Sequence, residues 1–483
     1  MLNGYHYEGP LPLGSVVAHN CGAAGLFSNK ESPQVIITGE ELNNQYTLKI
    51  DILDDTHTYL THTKVFVDEF TALGRRKLGQ ALLLYLRAYQ GLDIHSEWGT
   101  LVGVRPTKLY HKYLDTCSIE ETHKRLKEEF FISDEKLDLL ASIAHYQRPY
   151  IEQESSNDKR VAIYGGIPFC QTRCTYCSFP YGLIQDYPHI QNFKKSFIDD
   201  IEHMKSLIER YQLDIPALYM GGGTPTSLDE DTFCEILQSF TSLATNDCEY
   251  TIEAGRPDSI TKRKIMDMQR CGVNRVSINP QSLQDSILKI IGRGHTVSSI
   301  TSLYTYIRNH TTFSINMDFI AGLPTQTMQH MIENIDYICK VHPENVTIHT
   351  LALKKGSPLY NGIGRTDMPS EMLVKEMVAY TKERLQAEGY IPYYLYRQQY
   401  MTGQLENIGY TLPNKECIYN IHIMEERQPV LSIGPGSSSK WMRGPDYRQQ
   451  KQHMPKDVNV YISTLGTLLN KRESLSKKFW EVV

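Results

Sequence analysis

From residue 161 to residue 351 the sequence sets six short β-type runs apart by longer amphipathic ones, and very few folds accommodate that rhythm. The strand candidates are 161–164, 217–220, 250–253, 275–278, 314–320 and 345–351. Helical segments fall between them at 192–211, 229–242, 261–271, 282–291 with 297–309, and 326–341. Alternation of this kind predicts a parallel sheet covered by helices, and six units predict an open or closed barrel.

The flanks read differently. Before residue 161, the stretches 35–38, 45–53 and 57–67 have β-type composition, and 68–90 carries Leu78, Leu82, Leu83 and Leu86 at helical spacing. Residues 98–106 read as a loop bearing Gly and Pro. Ser118-Ile-Glu-Glu121 has the form of a capping box, and Ser133 with Asp134 and Glu135 opens the next helix. The polar stretch 152–160 reads as a linker. After residue 364 come a long helix (371–388), a Tyr-rich strand (393–396), the Gly434-Pro-Gly436 turn and a final helix beyond Pro455. A chain of 483 residues exceeds one core, and the expected division is 1–155, an N-terminal α+β domain; 156–363, the barrel; and 364–483, a C-terminal α+β substrate-side domain.

Composition narrows the function. A net charge of −5 leaves no electrostatic footprint for nucleic acid or an anionic membrane surface. The most aliphatic stretch, 81–86, stops at Arg87, far short of the roughly 20 residues that span a bilayer. The opening residues have neither a basic nor an apolar signal region. Ten cysteines are scattered, and only three stand close together. That pattern predicts a reducing cytoplasm and one local thiolate site, not a disulfide framework.

Those three lie in Ile167-Pro-Phe-Cys170-Gln-Thr-Arg-Cys174-Thr-Tyr-Cys177-Ser-Phe179, in the loop after the first barrel strand. Thiolates at this spacing can wrap one face of a [4Fe–4S] cubane, each on a different iron, leaving the fourth iron open. The methionyl group of S-adenosylmethionine (SAM) would chelate that iron. An electron from the cluster could then break the S–C5′ bond to give a 5′-deoxyadenosyl radical. A zinc site would need a second Cys pair downstream, and the sequence has none at zinc-site spacing.

Later strands end in residues suited to SAM. Met220-Gly-Gly-Gly-Thr-Pro-Thr226 closes the second, and its glycines allow close backbone approach. Glu253 ends the third and could accept ribose hydroxyls. Gln281 follows the fourth, Arg293 lies beyond it, and Asp318 sits within the fifth. A buried Asp needs a partner; Arg293 is one candidate, and the two could equally form a structural ion pair.

On these phrases, with Arg275-Val-Ser-Ile-Asn-Pro-Gln281, Asp318-Phe-Ile-Ala-Gly-Leu-Pro324 and Ile433-Gly-Pro-Gly436, the chain resembles the oxygen-independent coproporphyrinogen III oxidase family of radical SAM enzymes. Trp98-Gly-Thr-Leu-Val-Gly-Val-Arg-Pro-Thr107 and Leu405-Glu-Asn-Ile-Gly-Tyr410 look like its HemZ-type branch. The resemblance implies a partial (β/α)6 TIM-like barrel, a cluster on Cys170, Cys174 and Cys177, and two SAM molecules. It puts Tyr164, Gly222, Glu253 and Ser438 on the cluster-bound SAM. It puts Tyr176, Gly223, Thr224, Gln281, Arg293, Asp318 and Ala352 on the second. The implied partners are a tetrapyrrole substrate and a reducing electron-donor protein. The implied reaction converts two propionates of coproporphyrinogen III to vinyl groups, giving protoporphyrinogen IX for haem biosynthesis.

Three departures stand against that pattern. Phe179 occupies the place of a fourth cysteine in the founding oxidases, and Asn279-Pro280 precedes Gln281 where the family has Gly. Tyr419-Asn-Ile-His-Ile423 stands where the related haem chaperones carry His-Asn-x-x-Tyr-Trp, and it retains His422 alone as a ligand candidate. A haem-binding chaperone and a radical methyltransferase or ring-opening enzyme of the same fold are the competing expectations.

Overall fold

The computed structural model describes residues 2, 4–42, 45–53, 59–67, 72–91, 97–152, 158–178, 182–245, 247–353, 356–361, 367–398 and 405–481. The chain divides into two compact units, Met1–Ala141 with Arg397–Leu405, and Ser142–Tyr396 with Glu406–Val483. Phe179 lies outside the described residues, as do most of the 152–160 stretch and the start of the 57–67 and 68–90 segments.

In the first unit, strands β1 (Gly4–Glu8), β2 (Phe27–Ser28), β3 (Val35–Leu42), β4 (Gln45–Leu53) and β5 (Tyr59–Val67) form one sheet in the order β2-β1-β3-β4-β5. The first three are parallel, the last three antiparallel. Helices α1 (Leu11–Ala23) and α2 (Ala72–Tyr89) cover it. Leu13 and Val17 meet Ile37, Leu48 and Ile50 and the four leucines spaced along α2 in one closed apolar cluster. Helix α1 falls where Pro10, Pro12 and Gly14 hide the periodicity, yet Pro at a first helical turn costs no hydrogen bond. Helices α3 (Pro106–Leu114), α4 (Ile119–Phe130) and α5 (Asp134–Ile151) follow. The Glu121 amide donates to Ser118 Oγ at 3.2 Å, and the Lys136 amide to Ser133 Oγ at 3.3 Å, fixing where α4 and α5 begin.

The second unit carries the six repeats. Strands β6 (Ala162–Ile167), β9 (Ala217–Gly222), β10 (Glu249–Gly255), β11 (Arg275–Gln281), β12 (Ser314–Ala321) and β13 (Asn345–Thr350) lie side by side in that order, all parallel. The short β7 (Phe169–Cys170) and β8 (Gly182–Leu183) pair within the first loop. Helices α6 (Ile190–Tyr211), α7 (Glu230–Thr241), α8 (Lys262–Arg270), α9 (Asp285–Ile290), α10 (Val297–His310) and α11 (Met328–Val341) make the crossovers. This is a partial (β/α)6 barrel, as the repeat in the sequence predicts.

Beyond α12 (Glu371–Ala387), the chain extends the same sheet at both edges. Strands β14 (Ile391–Tyr396) and β15 (Asn407–Thr411) join antiparallel beside β13. After α13 (Ile418–Glu425), strand β16 (Val430–Ile433) runs parallel beside β6. Strands β17 (Ser438–Trp441) and β18 (Gln450–His453) continue antiparallel to an eleven-stranded sheet, and α14 (Val458–Trp480) closes the chain.

The period of two sorts the barrel residues. Ile163, Leu218, Ile252, Val276, Ile278, Met317 and Phe319 are wholly buried beneath the helices. The other face is polar: Tyr164, Tyr219, Thr251, Glu253, Ser277, Asn316, Asp318 and Thr347 share it by register. Parallel strands are usually apolar on both faces, so a polar face is a cost that hydrogen bonds must offset. They do: Asn316 Nδ2 donates to Ser277 Oγ at 2.9 Å and to Asp318 Oδ1 at 2.8 Å, and Thr347 Oγ1 to Asn316 Oδ1 at 3.3 Å.

At the amino ends of the strands this face is sealed. Glu249 and Arg275, both under a tenth exposed, pair at 3.3 Å. The Glu249 carboxylate accepts the Ile418 and Tyr419 amides, and Arg275 donates to the Lys415 and Glu416 carbonyls. Residues 415–419 thereby lie across the floor of the barrel, and the Tyr419 ring stacks on Tyr219 at 4.3 Å.

Candidate active site at the carboxyl ends of the strands

The loop that follows β6 carries the three cysteines and is stitched to its neighbours by backbone groups. The Gly223 amide donates to Ile167 O and the Thr224 amide to Phe169 O, both at 2.7 Å. On the far side the Thr175 amide donates to Ile291 O at 3.0 Å, and Thr172 Oγ1 to Gly292 O at 3.2 Å. The thiols of Cys170, Cys174 and Cys177 are half-buried and free of disulfides. Burial pushes the Cys170 thiol up to about 11, even though Thr224 Oγ1 lies 3.8 Å from its sulfur.

Two glycines are demanded by close approach. A Cβ on Gly223 would lie 2.3 Å from Phe169 O and 3.0 Å from Cys170 Sγ. A Cβ on Gly221 would strike the Glu253 carboxyl group at 2.8 Å. Gly222 has φ +110°, a conformation L side chains avoid. The Met220–Thr226 phrase therefore lets β9 pass under both the cysteine loop and Glu253.

Glu253 is held by Tyr219, whose hydroxyl donates to Oε1 at 2.6 Å. Burial raises this carboxyl to about 7, and the Tyr219 hydrogen bond offsets only part of that rise. Tyr164 stacks beside Tyr219 with centroids 6.2 Å apart. Ser438 begins β17, just past the Gly434–Gly436 turn, and its buried Oγ has no protein partner.

On the other half of the strand array, Gln281 ends β11 in the left-handed region at φ +68°. A non-glycine residue there costs on the order of 1 kcal/mol and tends to mark a functional constraint. Its Oε1 is buried without a protein partner. Arg293 donates to the Tyr176 hydroxyl at 3.0 Å, and its Nε is likewise buried and unpartnered. Asp318 accepts from Asn316, with His349 Nε2 at 3.8 Å, and Tyr396 Oη lies 3.1 Å from His349 Nδ1. Burial works to raise the Asp318 carboxyl, but the neighbouring His349, Asn316 and Thr347 side chains prevail and hold it below its ordinary value. Arg293 and Asp318 form no ion pair: the expected Arg partner is replaced by His349, one strand over. Ala352 lies just beyond β13 and is buried.

Among the described residues, no three His, Cys, Asp or Glu side chains converge as they would on a single metal ion. A cubane imposes no such point, since each thiolate meets a different iron. The residues fit a cluster and a polar zwitterionic cofactor on three grounds. The thiols share one loop, the glycines clear a path beside Cys170, and the buried Gln281 Oε1, Arg293 Nε and Ser438 Oγ atoms have no protein partner. Sequence reasoning missed Tyr219, His349 and Tyr396. Each faces the barrel interior by strand alternation, a signal that becomes readable only once register is known.

Residues 164–338 match the family model of the radical SAM superfamily. The oxygen-independent coproporphyrinogen-III oxidase-like protein HemZ of Bacillus subtilis is 37% identical over 83% of this chain and 81% of its own length. The haem chaperone HemW of the same organism is 27% identical over 47% of this chain and 60% of its own length. Among solved structures, Escherichia coli coproporphyrinogen III oxidase (HemN) aligns with a TM-score of 0.47 at 18% identity, over 70% of this chain and 82% of that one.

Proposed function

Because this chain belongs to the radical SAM superfamily and, within it, to the family of oxygen-independent coproporphyrinogen-III oxidase-like HemZ proteins, we propose that it oxidatively decarboxylates two propionates of coproporphyrinogen III to give protoporphyrinogen IX. Cys170, Cys174 and Cys177 would hold the [4Fe–4S] cluster that the superfamily implies. Together with SAM, the cluster held by these cysteines would supply the radical chemistry of the superfamily, removing one hydrogen atom from each propionate. Each substrate radical then loses an electron to an acceptor and releases CO2, leaving a vinyl group.

The observation that carries this reading is the division of the barrel mouth into two contiguous halves. Tyr164, Gly222, Glu253 and Ser438 belong to β6, β9, β10 and β17, on one side of the array. Gln281, Asp318 and Ala352 belong to β11, β12 and the end of β13, on the other. Tyr176 and Arg293 join that second half through their hydrogen bond. Gly223 and Thr224 follow β9, within the first half, and from there would reach the second SAM. Two residue sets suit two SAM molecules, and a reaction on two propionates has a use for both.

In this reading Glu253 and Tyr219 orient ribose hydroxyls. Arg293 holds a SAM carboxylate with its planar donor fork. The glycine phrase keeps water away from the cysteine loop by letting backbone pack directly against it. The second reading is haem handling, as the HemW relatives' name describes for them. His422 is the residue that would serve it, yet it is 1% exposed. Its Nε2 lies 3.2 Å from the Tyr150 carbonyl, and burial drops its pKa to about 4. An imidazole so enclosed favours the oxidase.

The deciding experiment supplies anaerobically reconstituted, reduced protein with SAM and coproporphyrinogen III, and follows products by mass spectrometry. Release of two CO2 per protoporphyrinogen IX, with 5′-deoxyadenosine, supports the proposal. Tight haem binding with no CO2 released would transfer the protein to the haem-handling class.

A further inference from the structure

Directly after Glu253 the chain reads Ala-Gly-Arg256-Pro-Asp258, and Arg256 is not accounted for by any SAM contact. The residue is 3% exposed, which is rare for an arginine without a partner of its own. The partner is Asp258. Arg256 Nε donates to Oδ1 at 2.9 Å and Nη2 to Oδ2 at 2.6 Å, a fork-to-fork pair that fixes the plane of the guanidinium. The remaining nitrogen, Nη1, points into the cysteine loop. It donates to Thr172 O at 3.3 Å and lies 3.9 Å from Cys174 Sγ.

The bracket that carries this arginine is itself rigid. The Arg256 carbonyl accepts from the Ser259 amide at 3.1 Å and from Ser259 Oγ at 2.9 Å. Ser259 Oγ meets Thr226 Oγ1 at 2.7 Å, and buried Lys264 donates to both the Thr226 and Ser259 carbonyls. A Cβ on Gly294 would come within 2.9 Å of Asp258, so the loop bearing Arg293 closes over the pair. The arginine cannot swing away without unpicking these contacts.

We propose that Arg256, oriented by Asp258, is a positioning residue that places a fixed hydrogen-bond donor and positive charge on the Cys174 ligand and thereby eases one-electron reduction of the cluster. Reduction adds one negative charge to the cluster and its thiolates. A cation in a site shielded from water stabilises the reduced form more than the oxidised one. Asp258 cancels part of the long-range field, but its carboxylate lies on the side away from the sulfur, so the donor that faces Cys174 dominates. The inference depends on the cysteine loop holding a cluster and not on which tetrapyrrole is the substrate.

The test is the midpoint potential of the reconstituted cluster, followed by electron paramagnetic resonance, beside iron content and melting temperature. Arg256→Gln should make the cluster harder to reduce by about tenfold in equilibrium, which is about 59 mV for one electron. Arg256→Lys keeps the charge but not the forked geometry and should shift the potential less, in the same direction. Lys195→Gln, on the exposed face of α6, should leave it unmoved. An Arg256→Gln cluster with full iron content and the wild-type potential would overturn the inference, as would an equal shift in Lys195→Gln. Should Arg256→Gln fail to load iron, Arg256→Lys decides the matter: an unchanged potential there overturns it. Wild-type protein that assembles no cluster would remove the cluster reading itself, whereas a cluster indifferent to Arg256 removes this inference alone.

Discussion

Glu253 and Arg293 illustrate how single side chains report on the site. A carboxyl whose folded pKa is raised by burial to about 7 binds its proton more tightly folded than unfolded. Its contribution to stability is complete below the ordinary carboxyl value near 4.5 and is lost as pH rises through about 7. Protein without cofactor should therefore melt a few degrees lower at pH 8 than at pH 5.5. Glu253→Gln should flatten that slope, and thermal scans across the interval check it. For Arg293, the observed partner is Tyr176. Arg293→Lys should cut turnover by tenfold or more, because Lys cannot reproduce bidentate geometry, while the cluster spectrum and melting temperature stay near wild type. A melting point that falls in step with activity would reduce Arg293 to a structural brace.

At the level of elements, the cysteine loop and the glycine phrase act as one device. Gly223→Ala would push a methyl group into Phe169 O and Cys170 Sγ, so iron loading should fall several-fold in reconstitution assays. Cys170→Ala, Cys174→Ala and Cys177→Ala should each abolish the brown chromophore and SAM cleavage. Cys234→Ala, in α7, and Cys339→Ala, in α11, should not. The six repeats were readable in the sequence because each strand is a short β-type run flanked by helices with clear caps, such as Asp229 on α7, Thr261 on α8 and Thr327 on α11. The loop cysteines were readable from spacing alone. Less was legible where tertiary partners decide. Helix α1 was masked by two prolines, and β15 to β18 are short strands that exist only because the barrel offers an edge. The Asp318 partner came from β13, a register fact that no local pattern contains.

Over the whole second unit, one buried ion pair ties distant parts of the chain. Asp200 on α6 and Arg472 on α14 meet at 2.6 Å with neither side chain exposed. Asp200 also accepts from Tyr461 Oη at 2.7 Å and from the Gly434 amide at 3.1 Å, beside the turn that leads to Ser438. Removing one partner leaves an uncompensated charge, so Arg472→Met should destabilise the protein by about 3–5 kcal/mol. The double variant Asp200→Leu with Arg472→Met should recover much of that loss, as chemical denaturation can show. Because β16 lies beside β6, a late segment of the chain completes an early one. A ribosome must therefore release residue 433 before the first barrel strand gains its outer neighbour. It must release residues 415–419 before Glu249 and Arg275 find the backbone groups they bind. Iron delivered to the cysteines of a nascent chain would meet an unfinished vessel. Maturation of this protein should begin only after residue 433 has left the ribosome.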